Sequence, residues 1–126
     1  MRPTSLAEVA ALAAGRDSFD RCLANFLDGF YACPTAIALE KEPRRLDAVE
    51  ADVGRIQDAY LAATAEELAR SFHLPSPEWT RAEGRPLHRP WFASPLASLR
   101  AVLLQESPPA FRCRNLFVSA NALSRA

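Results

Sequence analysis

The sequence predicts an all-α protein: a single compact helical domain over residues 1–126, with four to six helices, one long central helix and a proline-rich connecting segment. Three observations carry this reading. Alanine supplies 24 residues and leucine 16, whereas valine and isoleucine together supply seven, which is the composition of helices rather than strands. Apolar residues recur at steps of three and four in separate stretches. Seven of the ten prolines fall between Pro75 and Pro109, which confines long helices to the rest of the chain. With 126 residues, 49% of them hydrophobic and 24% charged, the chain suffices for one core and hardly for two.

Ser5-Leu-Ala-Glu8 has the spacing of a capping box, and Gly15 is a natural stop, so a first helix is predicted over 6–14. Asp17 or Ser18 caps the next, in which Phe19, Cys22, Leu23, Phe26, Leu27 and Phe30 share one face. Cys33-Pro34 ends it, because the residue before proline is pushed out of the helical region. Residues 34–45 read as a connector or a single helical turn around Ile37 and Leu39. From Leu46 through Val49, Val53, Ile56, Tyr60 and Ala63 to Phe72 the stripe predicts about 26 helical residues, roughly 39 Å. Either this is the spine of the molecule or it breaks near Gly54. Within the proline-rich stretch, Ser94-Pro95 caps a helix with an apolar face of Leu96, Leu99, Val102 and Leu103, closed by Ser107-Pro108-Pro109. The tail from Ala110 onward has a more helical than alternating pattern, although Leu116-Phe117-Val118 also fits a short strand.

Charge and cysteine usage exclude several functions. Lys plus Arg and Asp plus Glu both total 15, which is not the balance of a uniformly basic nucleic-acid binder, and a nucleic-acid partner is not expected. Residues 1–66 carry seven basic and eleven acidic groups; residues 67–126 carry eight and four, so a net of minus four faces a net of plus four. Arg112, Arg114 and Arg125 have no acid near them in sequence, which predicts an unpaired basic tail. Cys22, Cys33 and Cys113 show neither disulfide-scaffold nor zinc-knuckle spacing, and a reducing cytoplasm fits them. Glu8 interrupts the short apolar run near the N-terminus, so neither a signal peptide nor a membrane anchor is expected.

No metal-ligand spacing and no glycine-rich phosphate loop is present, so neither a metal nor another cofactor is expected. His73 and His88 read as surface or hydrogen-bonded histidines. Cys113 lies between two arginines that would lower a thiol pKa, but the simpler reading is a small packed hydrophobe. Arg81 and His88 resemble the Arg-x4-6-His signature of small helical ribonucleases of the HEPN class, though Gly84 and Pro86 lie between them. A contact surface is better supplied. Trp91, Phe92 and Phe111 stand beside Arg112, Arg114 and Arg125 among rigid prolines, with Asn115 and Asn121 as polar rim, the composition of an interface hot spot.

Gly15-Arg16-x-x-Phe19-Asp20, Phe26 to Tyr31, Asp58 to Ala63, Pro90-Trp91-Phe92 and Glu106 to Phe117 together resemble a family of small all-helical bacterial proteins. The resemblance covers most of the chain. It implies a neighbouring gene for a nucleotidyltransferase-like protein of the toxin-antitoxin kind, and hence an antitoxin-like role; it brings no catalytic residues. The predicted function is a non-catalytic, cytoplasmic protein–protein interaction module. The alternatives are a small helical ribonuclease using Arg81 and His88, or a homo-oligomeric structural protein such as a homodimer.

Overall fold

The computed structural model describes residues 2–125, and 53% of the chain is helical against 3% strand, an all-α architecture. Helix α1 (Leu6–Ala14) starts where the Ser5 hydroxyl accepts the Glu8 N–H at 3.1 Å. The other half of the capping box is displaced by one residue, because the Glu8 carboxylate takes the N–H and hydroxyl of Thr4, each at 2.6 Å. Helix α2 (Phe19–Ala32) is capped by Ser18 and buries Cys22, Leu23, Phe26, Leu27 and Phe30, the face its periodicity predicts. It packs against α1. The connector holds one helical turn, α3 (Ile37–Glu40).

The long helix α4 (Ala51–Ser71) begins five residues later than the stripe predicts. The cause is tertiary: the buried Asp58 carboxylate accepts the backbone N–H groups of Leu46 (2.7 Å) and Asp47 (3.3 Å), folding residues 46–50 back against the helix. Gly54 makes that approach possible, since a Cβ there would lie 2.1 Å from the Leu46 carbonyl oxygen. Val49 and Val53 are left exposed, contrary to their place in the stripe. Beyond Asp58 the helix is buried on most sides, through Leu61, Thr64, Leu68 and five alanines, and serves as the spine. It ends at His73, whose φ of +55° supplies the left-handed residue while the Leu74 N–H reaches back to the Ala69 carbonyl. The exposed His73 is thus a helix-ending residue.

Residues 75–99 run as turns, with a 3-10 turn at Glu78–Arg81 that buries Trp79; its indole N–H donates to the Leu39 carbonyl at 2.9 Å. Strand β1 (Trp91–Phe92) pairs in parallel with β2 (Leu116–Phe117), Trp91 opposite Leu116 and Phe92 opposite Phe117. The strand reading of the tail is therefore the right one, and residues 119–125 continue as turns rather than as a helix. Between the strands lie a 3-10 turn (Ala97–Leu99), helix α5 (Arg100–Glu106) and the single turn α6 (Pro109–Arg112). Of the four residues predicted to bury α5, only Leu103 does so. All of the buried apolar residues except Leu103, Ala110 and Phe117 form one cluster that spans α1 to the tail.

Candidate functional site: a groove walled by Trp91

Local backbone chemistry places Trp91. Asn115 adopts a left-handed conformation (φ +63°), which asparagine tolerates. Its carbonyl accepts the Trp91 N–H at 2.8 Å, and its side-chain amide donates to the Leu87 carbonyl at 2.7 Å. Because side chains alternate along a strand, Trp91 and Phe92 leave β1 on opposite faces. Trp91 walls a groove of about 740 Å³. Its other walls are Phe19, Leu23 and Leu27 of α2, Val53, Ile56 and Tyr60 of α4, and Val118 and Ala122 of the tail. Asp20, Gln57 and Ser119 give the lining polar groups, and Arg125, held to Asp28 at 2.9 Å, closes one end.

Tyr60 is the chemically distinctive wall residue. Its ring meets Phe19 edge-on at 6.3 Å and Phe111 at 5.0 Å. Burial, reinforced by the negative charge of Asp20, pushes the phenol pKa up to about 12, so the hydroxyl remains a neutral donor. The site therefore offers aromatic surface, an indole and a phenol as donors, and acceptors at Asp20 and Gln57. Among the described residues no group of three His, Cys, Asp or Glu side chains converges as metal ligands. No helix among them is long and apolar enough to cross a membrane.

The structure distributes the sequence-predicted contact residues unevenly. Trp91 is half-buried in the groove wall; Phe92, also half-buried, stacks on Phe117 at 5.1 Å beneath the Arg100 guanidinium. Phe111 is wholly buried in the core and presents no contact surface. Arg114 is buried too: it pairs with Glu66 at 2.6 Å and donates to the carbonyls of Thr80 (2.9 Å) and Ala110 (2.7 Å). Arg125 pairs with Asp28. The expectation of an unpaired basic tail thus fails for two of its three arginines, because acids distant in sequence reach them; the exposed Arg112 alone has no acid partner among the described residues, and donates to the Ser107 carbonyl at 2.9 Å. Asn115 positions β1, and the exposed Asn121 accepts the Ser119 hydroxyl. Arg81 and His88 are both exposed, and neither lines this groove or the smaller one beside Tyr31. Cys113 is exposed rather than packed, its thiol donating to the Ala110 carbonyl at 3.5 Å.

Phe19, Ile56 and Tyr60 were not among the predicted contact residues, since their helical spacing marks them equally well as core, and the polar Gln57 carries no sequence signal at all. Comparison with family models, with curated proteins and with solved structures yields no match, so the groove is read on its own geometry.

Proposed function

We propose that this chain is a non-catalytic protein-binding module, the antitoxin-like or regulatory member of a bacterial pair. Its groove takes an apolar segment of the partner, which on this reading is the nucleotidyltransferase-like product of a neighbouring gene. The observation that carries the proposal is the groove itself: a half-buried Trp91 that lines it together with Tyr60, Phe19 and several polar groups gives it the aromatic and polar composition of a contact hot spot. Three unbridged cysteines accord with a cytoplasmic setting. Arg81 and His88 line neither of these two grooves, which favours the binding reading over the ribonuclease alternative.

Co-expression with the neighbouring gene product, followed by calorimetric titration, tests the reading. Trp91→Ala should weaken binding by about 30-fold or more, as a hot-spot truncation does. Ala122→Trp, which fills the groove, should weaken it comparably while circular dichroism stays unchanged. Unaltered affinity in both variants, or no complex with the wild type, overturns the proposal.

A further inference from the structure

Helix α5 is apolar beyond what its position in the fold uses. Leu96 and Leu99 in the turn leading into it, with Val102 and Leu104 on it, are between 39% (Leu99) and 59% (Leu96) exposed. Leu103 is the one buried residue of the helix, which packs beside β2, and Glu106 on it accepts the Ala120 N–H at 3.1 Å. Leu99 and Val102, three apart, share one flank of the helix with Leu96 just before them, and such an exposed apolar cluster marks a contact surface. Its border is mostly basic, with Glu106 its one acid on the helix: exposed Arg89 precedes β1, Arg100 lies over Phe92, and Arg112 donates to the carbonyl of Ser107 at the C-terminus of α5. None of the three has an acid within ion-pair distance among the described residues.

The same chain carries the counterpart. Residues 47–53, where the chain folds back into α4, hold Asp47, Glu50 and Asp52 and no basic residue. All seven are exposed, and Val49 (53%) and Val53 (44%) stand among the acids. Asp52 is engaged by Arg55; Asp47 and Glu50 make no ion pair among the described residues. One patch is apolar with a mostly basic border, the other apolar with an acidic border. The whole chain is formally neutral, so no net repulsion keeps copies apart.

We infer that the α5 face is covered by the acidic start of α4 from a second copy of this chain. The α5 face shares no residue with the Trp91 groove, whereas its acidic counterpart meets the groove wall at Val53, so the self-association is tested on the chain alone, without the groove's partner. Each patch is small, so the association is weak, with a dissociation constant of about 10–100 μM, at the low end of specific interfaces.

Sedimentation velocity on the full chain tests the pairing. The wild type should form species of at least twice the monomer mass at about 100 μM in low salt, and these should dissociate as salt approaches about 0.5 M. Arg89→Glu with Arg100→Glu should be monomeric, and so should Glu50→Arg with Asp52→Arg. Mixing the two charge-reversed chains should restore the heavier species, because each then meets an opposite charge; restoration also shows that both variants are folded. A wild type that stays monomeric throughout overturns the inference, as does a mixture that fails to associate. An assembly lost in Leu99→Asp but indifferent to both charge reversals would mean that α5 faces pair with one another, contrary to the inference. A monomer that instead co-sediments with vesicles of anionic phospholipid would assign the face to a lipid surface and equally refute it.

Discussion

Arg85 and Arg114 are the two arginines on which the irregular half of the chain turns. Arg85 is fully buried and lies 4.9 Å from the Trp79 ring; it donates to the carbonyls of Pro43 (2.8 Å) and Asp58 (3.2 Å) and pairs with Glu42 at 3.2 Å. Burial and the nearby Arg45 lower its pKa below the usual arginine range, while Glu42 and Asp58 pull it back. Truncating a buried, partnered charge strands its partners, so Arg85→Ala should cost about 3–5 kcal/mol in urea unfolding, whereas Arg125→Ala, on an exposed pair, should cost about 0–1 kcal/mol. Equal losses would deny Arg85 this role. Neither buried arginine was legible in the sequence, because arginine by itself reads as surface and their acid partners lie 27 to 48 residues away. The carboxylates give a second test. Hydrogen bonds from Thr4 lower the pKa of Glu8, and the bond from Arg125 lowers that of Asp28. A carboxylate with a depressed folded pKa stabilises above its unfolded value, near 4, and that contribution is lost as pH falls through the folded value. Burial gives Asp58 the opposite sign, but it is common to both proteins compared. The stability gap between wild type and Glu8→Gln with Asp28→Asn should therefore be open at about pH 6 and close toward about pH 3; a gap constant with pH would contradict it.

Among the elements, α1 and α2 were legible because their information is local, a capping serine followed by a single apolar stripe. The start of α4 was not, because the two N–H groups held by Asp58 belong to a contact eleven and twelve residues away that no periodicity encodes. Half of the groove was legible for the same reason. Trp91 stood out as an aromatic beside arginines, whereas Tyr60 and Phe19 were hidden in stripes that also describe a core. Gly54 offers a decision between two effects of opposite sign. Alanine would gain about 1 kcal/mol of helix propensity, but its Cβ would meet the Leu46 backbone at 2.1 and 2.4 Å. Backbone at that distance does not yield cheaply, so Gly54→Ala should destabilise by about 1–3 kcal/mol, as overpacking does. A stabilised variant would show that residues 46–50 do not lie against α4 as described.

At the scale of the whole molecule, the charge asymmetry between halves resolves into a seam. Four of the six ion pairs among the described residues join a basic residue beyond position 66 to an acid at or before it: Arg85 with Glu42 and Asp58, Arg114 with Glu66, and Arg125 with Asp28. The other two are neighbours on α4. The opposite signs of the halves were visible in the sequence, but their internal cancellation was not, because it depends on which residues of α4 face the proline-rich segment. The seam also decides how salt acts. Ions screen exposed charges and leave buried pairs largely untouched; Arg85 and Arg114 are buried, Arg125 makes the one surface pair of the seam, and the two exposed neighbour pairs on α4 are worth only about 0.2–0.5 kcal/mol each. Loss of that surface pair is bounded at about 1 kcal/mol. At a few μM, below the range of self-association, urea midpoints at about 0.05 and 0.5 M sodium chloride should give unfolding free energies that differ by less than about 1 kcal/mol. A larger loss would mean that the halves are held by attraction across solvent rather than by two arginines inserted beside α4.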